Sequence, residues 1–494
     1  MRSAFGTCGY METELAKSIL FWFRRDIVPL LVAGPEMPLS MKSSFGFKGN
    51  NGLDTALPTP RGFLSGIGSL EVDRIGRILL FLSIFWFFWI SVSPFLSEPS
   101  ISLEFQFKTS NRINQVVVIG LSLFSFVLLL TRDLRILKAL MSPALIAMLG
   151  WLAFTVATSS HPDASLKHFV LTVFILVMSA AFLAVPESER QFAQLLAVGT
   201  IATLLLAYGG LVLVPSRAIH QGWDMVEPDL AGCWRGHFAQ KNAAGSAMVM
   251  CVFIGVFIAR KGWRLIGAGI GVAAIVFLFG TQSKTSIGLL AVALLLAGVA
   301  LSVHRTVPRV AIVAIPLLLL VLFTVGSVIF PAISTILEQT GIDITFTNRT
   351  TIWRFAVAHL SEHPFTGQGL ASFWGTFEIL HSNLAMQTWA SRATDAHNAY
   401  LDVALAAGLP GLVLALIWFV IIPLRELKPV ETYSDPDLTR LFVRCWLFFL
   451  LSSSLESNFF AGGGVAWFMA VVSIFGLRLQ SETSLRARKT VEAQ

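Results

Sequence analysis

The side chains best suited to chemistry in this chain stand in two short polar motifs, Asn348-Arg349 and Asp395-Ala396-His397-Asn398, the second at the head of an apolar run. A histidine next to a carboxylate can take a proton from a hydroxyl near neutral pH. An arginine brought to the same place binds anionic oxygens in a fixed fork. Such a set suits the displacement of an anionic leaving group by a hydroxyl. Asp395 has three readings: it orients His397, it caps the helix that follows, or it is solvated, with capping favoured. Glu456, farther along, is open to the same readings. The dipole at a helix start opposes a positive imidazole, so His397 is expected to stay neutral and available as a base.

Two further polar breaks add cations. Trp234-Arg235-Gly236-His237-Phe238-Ala239-Gln240-Lys241-Asn242 places Lys241 and Asn242 in the first turn of an apolar run. There a cation beside free helix N–H groups makes an anion site, although a collar of Trp, Arg and Lys is also ordinary at a membrane edge. In Thr281-Gln282-Ser283-Lys284-Thr285-Ser286, Lys284 is either a snorkelling anchor or a phosphate ligand acting as a compact point charge. Arg235, Lys241 and Lys284 are thus the candidate anion ligands, and His237, Asp395, Asn398 and Tyr400 the supporting groups. The sequence has no Ser-His-Asp spacing, phosphate-cradling Gly-rich loop or metal-ligand cluster, so neither cofactor nor metal is expected.

The elements that must position these residues follow from composition. With 55% hydrophobic and 13% charged residues in 494, and a mean hydropathy of +0.73, the chain cannot cover a globule with water-compatible groups. About twelve apolar runs are long enough to cross a hydrocarbon core of roughly 30 Å. They cover 76–95, 114–131, 142–159, 168–185, 193–214, 243–259, 265–281, 285–303, 310–331, 397–423, 441–457 and 461–478. Their unbroken Leu, Ile, Val and Phe content does not alternate, which excludes a β-barrel. Backbone groups in lipid must pair within the segment, so the expected fold is an all-α polytopic membrane protein with one large external loop between helices 9 and 10.

The expected organisation is a partly disordered cytoplasmic segment over 1–70, helices 1–9 over 71–331, the external loop over 332–396, helices 10–12 over 397–480 and a cytoplasmic tail over 481–494. Basic residues of the short loops, among them Arg77, Arg135, Arg190, Lys261, Arg305, Arg425 and Arg478, alternate onto one side, which the charge rule assigns to the cytoplasm together with both termini. Polar stretches 215–242, 282–284 and 332–396 then emerge on the opposite face. Within the loop, Ile352, Trp353, Phe355, Ala356 and Leu360 follow Arg349 at helical spacing, which predicts an amphipathic helix lying near the outer leaflet, and Pro364-Phe365-Thr366-Gly367-Gln368-Gly369 reads as the turn that ends it. Ile19 to Leu31, interrupted by Arg24-Arg25-Asp26, suits an interfacial helix, and Met11 or Met41 are alternative starts. The net charge of +7 matches cytoplasmic anchors rather than a clustered nucleic-acid surface. Cys8, Cys233, Cys251 and Cys445 are scattered and read as small buried hydrophobes.

From Ser283-Lys284-Thr285 through Asn348-Arg349, Trp353, Pro364 and Gly367-Gln368-Gly369 to His397-Asn398, Tyr400, Gly408 and Gly411, the order and spacing resemble the bacterial O-antigen ligase and polysaccharide polymerase family, over roughly residues 76 to 478. The resemblance is closest to the exopolysaccharide-polymerase branch. It implies metal-independent transfer of a glycan from a polyprenyl diphosphate carrier to an acceptor hydroxyl, on the outer face of the bacterial inner membrane. By position, Arg349 matches the family's loop arginine and His397 its histidine. Lys284 stands where ligases usually carry a second arginine, which favours a polymerase. The implied partners are a polyprenyl diphosphate-linked oligosaccharide and membrane lipid, with a chain-length regulator and a flippase as candidates. Ligation to a lipid core acceptor is the alternative within the family, and a lipid-linked oligosaccharide flippase the alternative outside it.

Overall fold

The computed structural model describes residues 60–95, 112–132, 134–223, 228–339, 346, 348–381, 388–433, 435–460 and 464–492. The interfacial helix expected over Ile19 to Leu31 lies outside them. The principal helices are α1 (Pro60–Trp89), α2 (Arg112–Arg132), α3 (Pro143–Thr158), α4 (Pro162–Ala184), α5 (Glu189–Leu213), α6 (Lys241–Arg260), α7 (Arg264–Thr281) and α8 (Lys284–Ser302). They continue with α9 (Thr306–Phe323), α10 (Arg349–Leu360), α11 (Ala399–Leu416), α12 (Pro436–Ser452) and α13 (Val465–Glu492). The protein is an all-α polytopic membrane protein. Among the described residues, eight helices are long and apolar enough to cross a membrane: α2, α4 to α9, and α11 continued to Leu427. The expected first, third, eleventh and twelfth runs are occupied by α1, α3, α12 and α13. Helix α1 starts at Pro60, so the boundary expected after residue 70 falls inside it; Phe63, Ile67 and Leu70 already stand at helical spacing.

Burial grades across the bundle as expected when lipid is the outer solvent. Helix α6 is enclosed from Ala244 to Ala259, and α12 is buried from Leu438 to Ser452 apart from Arg440, whereas α2 turns Val116, Leu123 and Phe124 outward. At one end the charges close on one another: Lys261 pairs with Glu189 at 2.7 Å and with Asp435, Arg260 with Asp437 at 3.3 Å, and Arg478 with Glu426. At the other end the long polar segments meet. Trp234 N donates to Gly280 O at 2.9 Å, and Ser283 Oγ donates to Asn242 Oδ1 at 3.0 Å.

The continuous helix expected over 397–423 is broken at Gly408, whose φ of 68° and ψ of −179° lie outside the helical region. Only glycine fits there, because a Cβ would stand 2.1 Å from Phe365 O. The break leaves the carbonyls of Leu405 and Ala406 without their helical partners, since Leu409 N turns to Pro364 O at 2.8 Å and Pro410 has no N–H, and the Ala407 carbonyl at the break also faces a side chain. Each finds another donor at 2.8 Å: Gln368 N, Gly369 N and Trp151 Nε1, respectively. A non-helical backbone at membrane depth is stable when every polar group is paired in this way. The Pro364–Gly369 segment is therefore more than the expected turn; it is bonded to the broken helix and fixes the long loop between α9 and α11 against the head of α11.

Candidate active site

His397 sits one residue ahead of the cap of α11, in a turn held from several sides. Asn398 is the N-cap, its Oδ1 accepting Leu401 N at 3.0 Å while its Nδ2 donates to Ser454 O at 2.8 Å. Ala399 N donates to Ser453 O at 2.8 Å, and Tyr400 OH to Leu450 O at 2.9 Å. These bonds tie the head of α11 to the end of α12. Capping therefore belongs to Asn398, not to Asp395 as expected. Asp395 Oδ1 instead accepts His397 N at 2.8 Å, fixing the turn in which His397 has a φ of 47°. A positive φ in a side-chain-bearing residue is uncommon, and this one persists because its neighbours are anchored.

The imidazole is partly exposed, with Nδ1 3.6 Å from Asp395 Oδ1 and 3.8 Å from Glu456 Oε2. Glu456 lies just beyond α12 and joins three elements. Its Oε1 accepts Arg349 Nη2 at 3.0 Å and Asn242 Nδ2 at 3.0 Å, while Arg349 also donates through Nη1 to Leu455 O. Asn242 passes the connection to Ser283, whose Oγ is 3.1 Å from Ser286 Oγ. A polar chain thus runs from His397 through Glu456 and Asn242 to the start of α8. Burial alone would lower the His397 pKa, but the Glu456 and Asp395 carboxylates outweigh both burial and the opposing Arg349 charge, so it lies above the usual imidazole value. The expectation of a value governed by the helix dipole is corrected: two carboxylates within 4 Å of the ring, at 3.6 and 3.8 Å, act more strongly than partial charges at the helix end.

The family model described as O-antigen ligase matches residues 269–416. The resemblance carried by the sequence motifs is thus shown over the segment that runs from α7 to α11, Lys284, Arg349, Asp395, His397, Asn398 and Tyr400 included. No curated protein matches the chain. Two members of the polar cluster, Asn242 and Glu456, lie outside the O-antigen ligase match, one on each side of it in sequence. The folded site is wider than the matched segment.

Of the candidate anion ligands, Lys284 is exposed in the first turn of α8, directly after Ser283. Lys241 opens α6, but the N–H groups there are not free. Its own N donates to His220 Nε2 at 3.2 Å, that of Asn242 to Gln240 Oε1 at 2.8 Å, and Lys241 Nζ is 3.6 Å from Cys233 Sγ. Arg235 is buried and donates through Nε to Arg217 O at 2.7 Å, which makes it a brace of the 215–242 loop. His237 is buried as well, with Nε2 2.9 Å from Trp89 O and its ring packed between Phe95 and Phe238. Burial pushes its pKa down to about 4, with the Trp89 carbonyl bond opposing in part. Helix α10, expected to lie along the leaflet, packs on protein: Ile352, Trp353, Phe355 and Ala356 are buried, and Trp353 Nε1 donates to Ala396 O at 2.9 Å. Among the described residues no group of three or more His, Cys, Asp or Glu is arranged to hold a metal ion. Sequence reading left Glu456 ambiguous and passed over Asp402. Only the fold shows that Ser-Ser-Ser-Leu-Glu-Ser at 452–457 crosses beneath His397.

Proposed function

We propose that the protein polymerises exopolysaccharide repeat units, moving a growing glycan from a polyprenyl diphosphate carrier to a sugar hydroxyl on the outer face of the bacterial inner membrane. Glycan transfer of the O-antigen ligase and polymerase type is supported by the family match. The observation that carries the reading is the meeting of His397, flanked by carboxylates, with Arg349 at the end of the bundle where the long polar segments gather. In the reaction the acceptor oxygen attacks the anomeric carbon, the bond from that carbon to the phosphate oxygen breaks, and polyprenyl diphosphate leaves with the electron pair. His397 takes the hydroxyl proton and later releases it to water. Its Nδ1 faces Asp395 and Glu456, and Nε2, which no described residue hydrogen-bonds, is the nitrogen assigned to the acceptor. Arg349 stabilises the charge that grows on the diphosphate as the bond breaks, and the exposed Lys284 binds the diphosphate as a point charge. Lys241 lends support from the rim, and Arg235 acts through the loop it braces. A single displacement inverts the anomeric centre.

The test is the size distribution of secreted and lipid-linked polysaccharide in a deletion strain complemented with wild type, Arg349→Ala or His397→Ala. Single repeat units accumulating outside the membrane in both variants support a polymerase. Long free polymer no longer joined to lipid identifies a ligase, and repeat units trapped inside identify a flippase. Normal polymer in either variant overturns the mechanism.

A further inference from the structure

We propose that Asp402 is a positioning residue that holds His397 against Glu456. The inference rests on the reading of His397 as the base. Asp402 lies in the first turn of α11, and its carboxyl oxygens accept from the turn just ahead of that helix and from two segments distant in sequence. Its Oδ1 takes Trp374 Nε1 at 2.8 Å and Ala396 N at 3.1 Å, while Oδ2 takes the Ser457 hydroxyl and lies 3.3 Å from Ala396 N. Ala396 immediately precedes His397, and Ser457 immediately follows Glu456. Asp402 therefore grips the chain next to each of the two groups whose separation matters, and adds Trp374 from the external loop.

The grip is stiff because the clamped residues have no other freedom. Ala396 is fully buried, its N–H is held by Asp402, and its carbonyl is held by Trp353 Nε1 at 2.9 Å. The next residue carries the positive φ, so a loosened Ala396 would let His397 relax toward ordinary backbone and turn its ring away from Glu456. Among the described residues no cation pairs with Asp402; its carboxylate oxygens are met by the indole, amide and hydroxyl donors of Trp374, Ala396 and Ser457. The charged groups around the His397 ring are Asp395, Glu456 and Arg349, with Asp402 behind Ala396.

Three variants separate position from charge. Asp402→Asn removes the carboxyl group, whereas Trp374→Phe and Ser457→Ala each remove one donor and leave it in place. The first readout is the pH dependence of diethyl pyrocarbonate labelling of His397 in the full-length protein in lipid vesicles, followed by mass spectrometry, which needs no turnover. All three variants are expected to move the His397 midpoint down toward the ordinary value of about 6.5. The second is release of polyprenyl diphosphate from a polyprenyl diphosphate-linked repeat unit, where kcat should fall by roughly 10- to 100-fold in Asp402→Asn with donor KM within about twofold. Unchanged midpoints overturn the inference whether or not transfer is observed. A midpoint that moves in Asp402→Asn alone overturns it too, because charge and not position would then be responsible. Should Asp402→Asn fail to accumulate, Trp374→Phe and Ser457→Ala decide the matter. Midpoints that move in all three variants, with a wild type that releases no polyprenyl diphosphate, would instead overturn the polymerase reading and leave the clamp standing.

Discussion

His237 and His397 stand in polar stretches of the same end of the bundle, yet their surroundings push them in opposite directions. His237 is enclosed by Phe95 and Phe238, spends Nε2 on the Trp89 carbonyl, and is held neutral by burial down to about 4. His397 is partly open, has carboxylates 3.6 and 3.8 Å from Nδ1, and is held above the usual value. In sequence the two look alike, each a histidine two residues after a charged one and shortly ahead of a helix. Partners brought from elsewhere in the chain make the difference: an apolar cage and one carbonyl give a structural imidazole, whereas paired carboxylates with an arginine give one suited to moving a proton.

The comparison breaks most severely under substitution of the rings. His397→Ala should lower transfer by about 10²- to 10⁴-fold, the usual worth of a positioned base, with no loss of folded protein in the membrane. His237→Ala should lower transfer only in proportion to the folded protein it loses. Rates per folded molecule from detergent-purified samples check this, and a His237→Ala enzyme as crippled per molecule as His397→Ala would erase the distinction.

Next in size is the arginine. Arg349→Ala removes the fork that also pairs with Glu456, and is expected to lower transfer by about 10²- to 10³-fold, a loss typical of one missing donor to developing charge. Lys284→Ala should act mainly on donor KM, because an exposed point charge contributes to binding before the bond breaks. A kcat unchanged in Arg349→Ala would reassign the arginine to structure, alongside Arg235.

Smaller, but more diagnostic, is the pH profile. The rate should rise through a pKa above the ordinary imidazole value of about 6.5, since only neutral His397 can accept a proton. Glu456→Gln removes a raising charge, so the rising limb should move to lower pH even as kcat drops. A limb that stays in place would mean that Glu456 serves Arg349 and not His397.

How much of this was legible in the sequence depends on the range of the interaction. Helix type and approximate extent follow from apolar runs, because a span must satisfy its own backbone and so carries its signature locally. Arg349 and His397 stood out because they interrupt apolar sequence with groups of known chemistry. Glu456 and Asp402 did not, since a carboxylate near a helix end is unremarkable until the fold sets it against an imidazole or two neighbouring loops. Gly408 and Gly367-Gln368-Gly369 were recognised by order alone; that one supplies the donors missing from the other needs two segments some forty residues apart to meet. Arg235 and His237 show the converse, two buried polar residues in a suggestive stretch that each bind a backbone carbonyl.

The smallest effect separates the two histidines by stability alone. A group whose folded pKa is depressed binds fewer protons folded than unfolded between the two values, so His237 contributes stability that is complete above about 6.5 and lost as pH falls toward about 4. His397 has the opposite sign: its raised folded value contributes stability that is complete below about 6.5 and lost as pH rises through the folded pKa. Acidification from neutrality should therefore weaken the fold through His237 by at most about 1.4 kcal/mol per pH unit while His397 partly opposes it. His237→Gln keeps a donor for Trp89 O without a titrating ring. Its melting temperature in detergent should fall less than that of wild type between pH 7 and pH 5, while His397→Gln should fall more. Equal slopes for wild type and His237→Gln would show that the buried ring is not what acid attacks, and would remove the physical basis for calling one histidine structural and the other chemical.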